Sequence, residues 1–499
     1  MKRFVSFVLS CCIISCTLLT VSAESQELEI FNPEYAVSTL ADADLLDGYP
    51  TKMLDSIVIG IRNAVLNYQE TYNLASYNLP VTVTNALSQE VFNRYPEIFN
   101  QTDCQHLHYY YTESGIAAFI KFNYLVPKEE FDARKSFYFS EVKRIIATMP
   151  EGLSDLEKAV YINEYLTANY VYDGRVYAET EEEKGKEIHD AYGFLYNKTG
   201  VCQAYALVFL GFMRELGIEC RYASSDTGNH AWNIVKIDGE YYHLDCTHND
   251  PITYKYGDLA GRCYHNHLFV SSDNLLTVDD NQYNNYSDIS HDDWVSFPSY
   301  YPEVVCDDTR FDNAVWNDID TPLVYYNGFW YGISNDKELL RISRDFSTND
   351  AIAKMNFAWP YVGFFGGLSL VGNRLYFNSY KGLFSYNIDT NEAVTEATFD
   401  TENGIYSSYY NDGKIYCITA AAPNVQPDTE VITYDIGIGD IDQDGTISAN
   451  DLSIIKKHIL GYKTHSNIGL AEVVYDNRIN LLDYVRIKKY IVGTSSSLF

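Results

Sequence analysis

The residues best suited to covalent chemistry are a cysteine, a histidine and an aspartate that lie far apart in the chain. Cys202 lies in NKTGVCQAYALVFLGFM (197–213), where a glycine-containing turn gives way to an apolar, helix-like run. Free N–H groups and the positive dipole end at a helix start stabilise a thiolate. Cys202 is therefore the candidate nucleophile, although an isolated cysteine is more often a small buried hydrophobe.

The histidine and the aspartate lie in NHAWNIVKIDGEYYHLDCTHND (229–250), which has the pattern of a β-hairpin. The Asp-Gly turn in its middle is expected to pair Ile237 with Glu240. In that register His230 and Asp245 are diagonal neighbours on one face, about 7–8 Å apart at the backbone, which is within side-chain reach. The hairpin alone thus places an imidazole beside a carboxylate, but local patterning does not bring Cys202 to it.

The element upstream of this site begins with a capping box. In MPEGLSDLEKAVYINEYL (149–166), Ser154 is followed three residues later by Glu157, and apolar residues recur at helical spacing. The next charged stretch, AETEEEKGKEIHD (178–190), has the composition of a solvated loop. We therefore expect a helix, a charged loop, the Cys202 helix and then the strands that carry the other two residues.

Taken together and in this order, these motifs resemble the transglutaminase-like superfamily, over about residues 150–275. The resemblance implies an α+β core with a layout similar to papain, in which Cys202 is the nucleophile, His230 the base and Asp245 its orienter. It also implies thiol acyl transfer at peptide or side-chain amides, by hydrolysis or transamidation, with no cofactor for catalysis.

Three further residues are candidates for the substrate cleft. Gln203 follows the nucleophile directly, while Tyr205 and Trp232 lie near the motif positions. For the two aromatic residues, packing in the core is an equally good interpretation.

A second group of potential ligands is His243, His248, Cys263, His265 and His267, which lie within 25 residues. Such a group can indicate zinc, but no CxxC or HExxH motif accompanies it. We therefore favour a structural role, and the metal site remains the lesser alternative.

The C-terminal segment contains a calcium-loop pattern, DIDQDGTISAND (440–451). A glycine at position 6 permits a sharp turn, and oxygen ligands fall at alternate positions and at position 12. The predicted calcium ligands are Asp440, Asp442, Asp444, Thr446, Ser448 and Asp451.

The pattern recurs with an offset of 32, since LSIIKKHILG (452–461) aligns with YVRIKKYIVG (484–493). The loop of the second copy is EVVYDNRINLLD (472–483), in which valine replaces an acidic residue at position 3. Calcium is less expected there, and its candidate ligands are Glu472, Asp476, Asn480 and Asp483.

Two such loop–helix units resemble a type I dockerin, over about residues 437–493. The resemblance implies a small α-helical domain with structural calcium, which binds the cohesin domain of a scaffoldin in a cellulosome. The positions that contact cohesin in that family correspond here to Ala449, Asn450, Leu481 and Leu482. The two pairs differ, so the halves are not expected to present equivalent faces.

Between the site and this tail, three segments share a plan of strand, Asn/Gly/Asp turn and aromatic strand. They are LVYYNGFWYGIS (323–334), LSLVGNRLYFNS (368–379) and SSYYNDGKIYCI (407–418). Their period suits propeller blades, but three copies are too few for a closed propeller. We expect a compact all-β, propeller-like module, with a packing role favoured over carbohydrate binding.

The predicted organisation is therefore multidomain. It comprises a signal peptide at 1–23, an N-terminal α+β lobe at 24–150, a transglutaminase-like core at 151–300, a Tyr-rich β-repeat module at 301–435 and a dockerin at 437–499.

The N-terminus and the charge indicate where the protein acts. Lys2 and Arg3 precede an apolar run that ends in the small-residue motif VSA, which is typical of a cleaved export signal. A lipoprotein anchor at Cys16 is the minor alternative, and no later segment has the length and apolarity of a membrane span. The net charge of −32 makes nucleic acid a poor partner.

The sequence thus favours a secreted, cellulosome-associated thiol enzyme that acts on protein or peptide amides. The alternative is a catalytically inactive subunit that uses the same fold to bind peptides or to support the complex. No paired-carboxylate motif indicates a glycosidase.

Overall fold

A computed structural model describes most of the chain after residue 45. The described residues are 46, 48–98, 107–177, 187–225, 228–250, 252–253, 257–258, 260–275, 304–355, 366–422, 427–462, 465, 467–474 and 478–498. The expected signal peptide, including Cys16, lies outside them. Among the described residues, no helix combines the length and the apolarity required to cross a bilayer.

The N-terminal part of the chain mixes helices with a small antiparallel sheet. Its elements are α1 (Thr51–Leu66), β1 (Thr71–Asn73), α2 (Thr84–Arg94), β2 (His108–Tyr111) and β3 (Ala117–Lys121), with the strand order β1-β3-β2. A hydrophobic cluster that includes Ile57, Leu87 and Ile120 packs the helices on the sheet. The next helix, α3 (Lys128–Ala147), connects two cores, because Phe131 joins this cluster and Tyr138 joins the following one.

The central part contains the elements that carry the candidate site. They are α4 (Asp155–Asn169), β4 (Val171–Tyr172), α5 (Ala191–Asn197), β5 (Thr199–Gly200), α6 (Cys202–Leu216), β6 (Cys220–Ser225), β7 (His230–Ile237), β8 (Glu240–Leu244), α7 (Cys246–Asn249), β9 (Ile252–Thr253), β10 (Gly257–Asp258) and β11 (Leu268–Val270). A four-stranded antiparallel sheet has the order β11-β8-β7-β6. The apolar helix α6 packs against this sheet, with Ala204 to Met213 buried.

Two local predictions in this part are confirmed. Ser154 caps α4 in a reciprocal capping box with Glu157. The hairpin register is also as expected, because Ile237 pairs with Glu240 and the pairing continues along β7 and β8.

The following segment is all-β and forms three successive antiparallel sheets. The first contains β12 (Val324–Tyr326), β13 (Phe329–Ile333), β14 (Glu338–Ile342) and β15 (Asn349–Lys354). The second contains β16 (Leu368–Val371), β17 (Arg374–Asn378), β18 (Gly382–Asn387) and β19 (Glu392–Thr398). The third contains β20 (Gly404–Asn411), β21 (Lys414–Ala420) and β22 (Ile432–Asp435). The all-β character of the expected module is confirmed, with three sheets among the described residues, and its propeller-like arrangement stays a prediction.

The first of these sheets is anchored on the central part. The Arg344 guanidinium donates to both carboxylate oxygens of Glu157, at 2.8 and 2.6 Å, and the indole N–H of Trp330 donates to the same carboxylate. Burial raises the pKa of Glu157, but the hydrogen bonds from Arg344 and from the helix cap hold that pKa below its ordinary value. The start of α4 is therefore fixed by the β-module as well as by its own cap.

The C-terminal part is a pair of helices that packs on the third sheet. It contains α8 (Ala449–Ile459), a 3-10 helix (Ile468–Ala471) and α9 (Leu481–Ile491). One hydrophobic cluster joins Ile405, Ile415 and Cys417 of the β-module to Ile455 and Ile487 of the helices. The helix pair and the β-module thus share a core rather than lying apart.

A close approach of two glycines marks this interface and yields a prediction. A Cβ atom on Gly372, which has a φ of +60°, would lie 2.1 Å from the Cα of Gly469. Gly437 has a similar φ of +73° but open space around it. Both Gly→Ala variants carry a strain of about 1–2 kcal/mol, and Gly372→Ala adds about 1–3 kcal/mol of overpacking.

We therefore expect Gly372→Ala to lower the thermal unfolding midpoint more than Gly437→Ala does. It should also admit proteolytic cleavage between the β-module and the C-terminal helices. Equal midpoints and equal digestion patterns for the two variants would contradict the close packing of this interface.

Candidate functional site

Cys202 is the first residue of α6, as its position after a glycine turn predicted. Val201 precedes it in extended conformation, and no side chain caps the helix. A Cβ atom on Gly200 would lie 2.7 Å from the Phe194 ring and 2.9 Å from Ala204. The glycine therefore allows the chain to pass close to the helices, and Cys202 itself stays half-buried at the start of α6.

His230 and Asp245 meet at the open end of the hairpin. His230 is the first residue of β7, and Asp245 follows β8 as the N-cap of α7. Nε2 of His230 lies 2.5 Å from Oδ2 of Asp245. The other oxygen, Oδ1, accepts the backbone N–H groups of Thr247 and His248 at 2.8 and 3.2 Å. The carboxylate is thus held by the backbone while it engages the imidazole.

The thiol of Cys202 completes the group, because it lies close enough to His230 to favour the charged form of the ring. Burial disfavours the imidazolium, but the Asp245 carboxylate and this thiol contact outweigh it and raise the pKa of His230 well above its ordinary value. Since Nε2 faces Asp245, Nδ1 is the ring nitrogen left for the thiol. The structure therefore brings together all three residues that the sequence singled out.

Asp245 stays ionised although it is only 3% exposed. Burial alone would raise its pKa, but the nearby rings of His248 and His230, with His267 beyond them, hold the pKa of Asp245 well below its ordinary range. The site is accordingly a buried carboxylate surrounded by imidazoles, with the sulfur at its edge.

The three cleft candidates differ in position. Gln203 is half-buried beside Cys202, and its side chain hydrogen bonds with Tyr222. Trp232 is 2% exposed, with its ring 5.8 Å from that of His230, and its indole N–H donates to His243. Tyr205 is 1% exposed and bonds the buried Asp250, so it lies in the core rather than along an open cleft. The side chain i+3 from Cys202 points into the core because α6 is apolar on nearly all sides.

The five residues considered as zinc ligands do not form one group. His248 joins the thiol site, and His243 packs against Trp232. Cys263 and His265 instead form a buried cluster with Glu164, whose carboxylate lies 3.0 Å from Nε2 of His265. The Thr167 hydroxyl donates to the Cys263 sulfur at 3.1 Å, and Nδ1 of His265 lies 2.8 Å from the Ile319 carbonyl oxygen.

His248 is a site residue that sequence reasoning placed in the wrong group. Its ring lies parallel to that of His230, with centroids 4.2 Å apart and an angle of 11° between planes. The signal was present as Asp-x-x-His, because a capping aspartate and the third residue of its helix lie close together.

The first C-terminal loop has the geometry of a cation site. The carboxylate oxygens of Asp440, Asp442 and Asp444 lie within 4.8 Å of one another, and Gly445 adopts a φ of +88°. Slight burial and the neighbouring carboxylates raise the pKa of Asp442 above its ordinary value. A calcium ion would relieve this repulsion, and the hard oxygen donors fit it.

The remaining predicted ligands of the first loop serve the backbone. Ser448 caps α8 by accepting the N–H of Asn450, and Thr446 donates to Asp444. Asp451, which is fully buried, accepts the N–H groups of Ile441, Asp442 and Ser448. Position 12 therefore closes a capping box here, and its charge also acts on Asp442.

The second loop repeats this backbone plan with fewer acidic groups. Asp483 accepts the N–H groups of Val473, Val474 and Asn480, and Asn480 caps α9. Glu472 is 8% exposed, while Asp476 lies outside the described residues. No second carboxylate group comparable to the first is present in the described part of this loop.

The expected cohesin-contact positions lie at equivalent helix starts. Ala449 and Asn450 begin α8 and are exposed. Leu481 and Leu482 begin α9 and are 62% and 58% exposed. The second half therefore presents an apolar pair where the first presents a small and a polar residue.

Three solved structures that match part of this chain have low overall similarity to it. A crystal structure of a TGase is 14% identical, covering 27% of this chain and 41% of that one, with a TM-score of 0.21. The computationally designed Ika4 protein is 9% identical (23% and 64% covered, TM-score 0.18), and the N-terminal domain of Nup159 is 11% identical (23% and 30% covered, TM-score 0.16). The chain thus spans less than two thirds of each, and these scores carry no argument about fold.

Comparison with curated proteins finds no match. Comparison with protein families matches two separate parts of the chain. The family model of the transglutaminase-like superfamily matches residues 144–246, and that of the type I dockerin domain matches residues 438–496. The chain therefore contains a transglutaminase-like core, which includes Cys202, His230 and Asp245, and a C-terminal type I dockerin domain.

Proposed function

We propose that the protein is a secreted thiol enzyme that transfers acyl groups from peptide or side-chain amides. The observation that supports this most directly is the convergence of a helix-start cysteine, an imidazole and a buried carboxylate. Nε2 of His230 lies 2.5 Å from Oδ2 of Asp245, and the Cys202 thiol favours the charged form of the same ring. The transglutaminase-like match over 144–246 supports the same chemistry.

The first step is proton transfer within this group. Nδ1 of His230 takes the proton of the Cys202 thiol, so that an S–H bond breaks and an N–H bond forms. Asp245 holds the ring in place through Nε2 and stabilises the imidazolium. The raised pKa of His230 favours the resulting thiolate–imidazolium pair.

The second step is attack of the thiolate on an amide carbonyl. The first N–H groups of α6, at Cys202 and Gln203, have no carbonyl partner within the helix and point toward its start. They stabilise the oxyanion as the tetrahedral intermediate forms. His230 then gives its proton to the leaving amine, and a thioester remains on Cys202.

The fate of the thioester defines the reaction class. Attack by water gives a peptidase or amidase, and attack by a second amine gives a transamidase. Gln203, which is half-buried beside Cys202, is the residue that would contact the substrate, and it does not select one acceptor over the other. Trp232 is buried and packs behind His230.

The dockerin domain supports a place for the protein in a larger assembly. We infer that calcium, held in the first loop by Asp440, Asp442 and Asp444, supports a face that binds a scaffoldin cohesin in a cellulosome. The exposed Leu481 and Leu482 supply apolar contact area on that face. Calcium would be structural, and the thiol chemistry uses no metal.

The reactivity of Cys202 tests the triad. We expect iodoacetamide to alkylate Cys202 rapidly at mildly acidic pH, because the imidazolium of His230 persists and stabilises the thiolate. His230→Ala should return the alkylation midpoint to about pH 8.5, the value of an ordinary thiol. Peptide mass mapping assigns the label to Cys202 rather than to the other cysteines. An ordinary midpoint in the unmodified protein would instead favour the inactive, peptide-binding subunit.

Product analysis tests the reaction class. The protein is incubated with a protein mixture and a labelled primary amine, with Cys202→Ala as the control. New peptide termini indicate hydrolysis of the backbone, and incorporated label indicates transamidation. We expect both signals to be lost in Cys202→Ala and to fall about 10²–10⁴-fold in His230→Ala. Equal product formation by Cys202→Ala would remove the sulfur from the mechanism.

Calorimetry with a cohesin domain tests the docking face. Chelation of calcium should abolish binding, and Asp442→Asn with Asp444→Asn should weaken it by reducing the ligand charge. Leu481→Ser with Leu482→Ser removes the apolar pair, whereas Ala449→Ser with Asn450→Ser changes the equivalent positions of the first half. We expect the leucine variant to lose more affinity. Binding that is indifferent to chelation would refute a calcium-dependent dockerin.

A further inference from the structure

A second imidazole contacts the same carboxylate oxygen as His230. Nδ1 of His248 lies 3.1 Å from Oδ2 of Asp245, the oxygen that lies 2.5 Å from Nε2 of His230. The two rings are parallel, with centroids 4.2 Å apart. One oxygen therefore serves two stacked imidazoles.

The carboxylate cannot give each ring its own oxygen. Oδ1 of Asp245 accepts the backbone N–H groups of Thr247 and His248, which fix the rotation of the carboxylate. His248 thus meets Asp245 in two ways, through a backbone hydrogen bond to Oδ1 and through the 3.1 Å approach of its ring nitrogen to Oδ2. This arrangement follows from the capping position of Asp245, since the third residue of α7 folds back over its cap.

The surroundings make this shared contact strong. Asp245 and His248 are 3% and 8% exposed, so solvent screens their charges little. The titratable groups that face His248 are Asp245 from its own cap, His230 from β7 and His267 from the segment before β11. The His267 ring lies edge-on to His248 at 4.6 Å, and its backbone carbonyl accepts the Asp245 N–H.

We propose that His248 is a positioning residue that divides the negative charge of Asp245 between two rings and so sets the pH range in which the thiol is active. This inference rests on the proposed role of Cys202 and His230. When His248 is neutral, its Nδ1 lies 3.1 Å from Oδ2 without adding a charge, and its ring provides a flat surface against His230.

Protonation of His248 changes this balance. A second positive charge then lies 4.2 Å from His230 and draws on the same carboxylate oxygen. Since like charges disfavour one another, the imidazolium of His230 loses stabilisation and the thiolate regains its proton. Ordinary imidazoles take up this proton between about pH 5 and 8, so the effect belongs to the acidic side of the activity profile.

Two variants separate the charge from the contact. His248→Asn keeps an N–H donor close to the position of Nδ1 but cannot become charged. His248→Phe keeps a flat ring against His230 but has no donor. His108→Asn, in β2 of the N-terminal part, is the matched control for loss of a histidine elsewhere.

The measurement is the rate of Cys202 alkylation by iodoacetamide as a function of pH, on the full chain. We expect the acidic limb of His248→Asn to move about half a pH unit or more toward lower pH, because the competing charge is gone. We expect His248→Phe to lower the plateau rate about tenfold. This loss is smaller than the 10²–10⁴-fold that a positioned base contributes, because His230 itself is still present. His108→Asn should follow the unmodified protein.

The outcomes distinguish this inference from the proposed function. If the unmodified protein reacts at acidic pH and both His248 variants follow its profile, His248 only packs in the site and the inference is wrong. If the unmodified protein shows an ordinary thiol midpoint, unchanged in His230→Ala, the proposed function fails and the inference fails with it. Thermal unfolding midpoints report folding, and if His248→Phe does not fold, the limb shift of His248→Asn decides the question.

Discussion

The contact between the Asp245 carboxylate and its surroundings is the constraint on which the candidate site depends. A carboxylate that is 3% exposed requires partners for its charge, and Asp245 has them on both oxygens. Backbone N–H groups of α7 hold one oxygen, and imidazoles meet the other. Because the same residue ends a strand, caps a helix and orients His230, the local fold and the electrostatics of the site are set together.

The placement of the sulfur depends on elements far from this carboxylate. Cys202 reaches His230 because α6 packs its apolar surface on the sheet that contains β7 and β8. The chain enters α6 beside Phe194, at a distance that only Gly200 allows. A helix start with free N–H groups is thereby aimed at the edge of the hairpin, which is where a thiolate and an oxyanion would both be stabilised.

What could be predicted from the sequence was the local part of this arrangement. The register of the hairpin follows from an Asp-Gly turn, and the cap of α4 follows from Ser154 and Glu157, since both involve residues that are close in the chain. The calcium-loop pattern likewise anticipated the grouping of Asp440, Asp442 and Asp444. The capping box of Asp451 and the position of His248 are also local, since each side chain meets a helix start within a few residues of it. By contrast, the burial of Tyr205 depends on how elements pack. The proximity of Cys202 to His230 was expected from the resemblance to a family, since spacing in the chain does not report it.

The packing between parts of the chain constrains how the transglutaminase-like core lies relative to the dockerin domain. Arg344 and Trp330 bind the capping carboxylate of α4, which lies in the transglutaminase-like core. At the other end of the β-module, Gly372 meets Gly469 of the dockerin, and a single hydrophobic cluster spans the two. One contact is an ion pair and the other is a close approach of two backbone segments, so neither end of the β-module behaves as a flexible linker. The β-module is then the element that fixes the direction of the exposed Leu481 and Leu482 relative to the thiol, and a bound cohesin would set the orientation of the active site as well as its location.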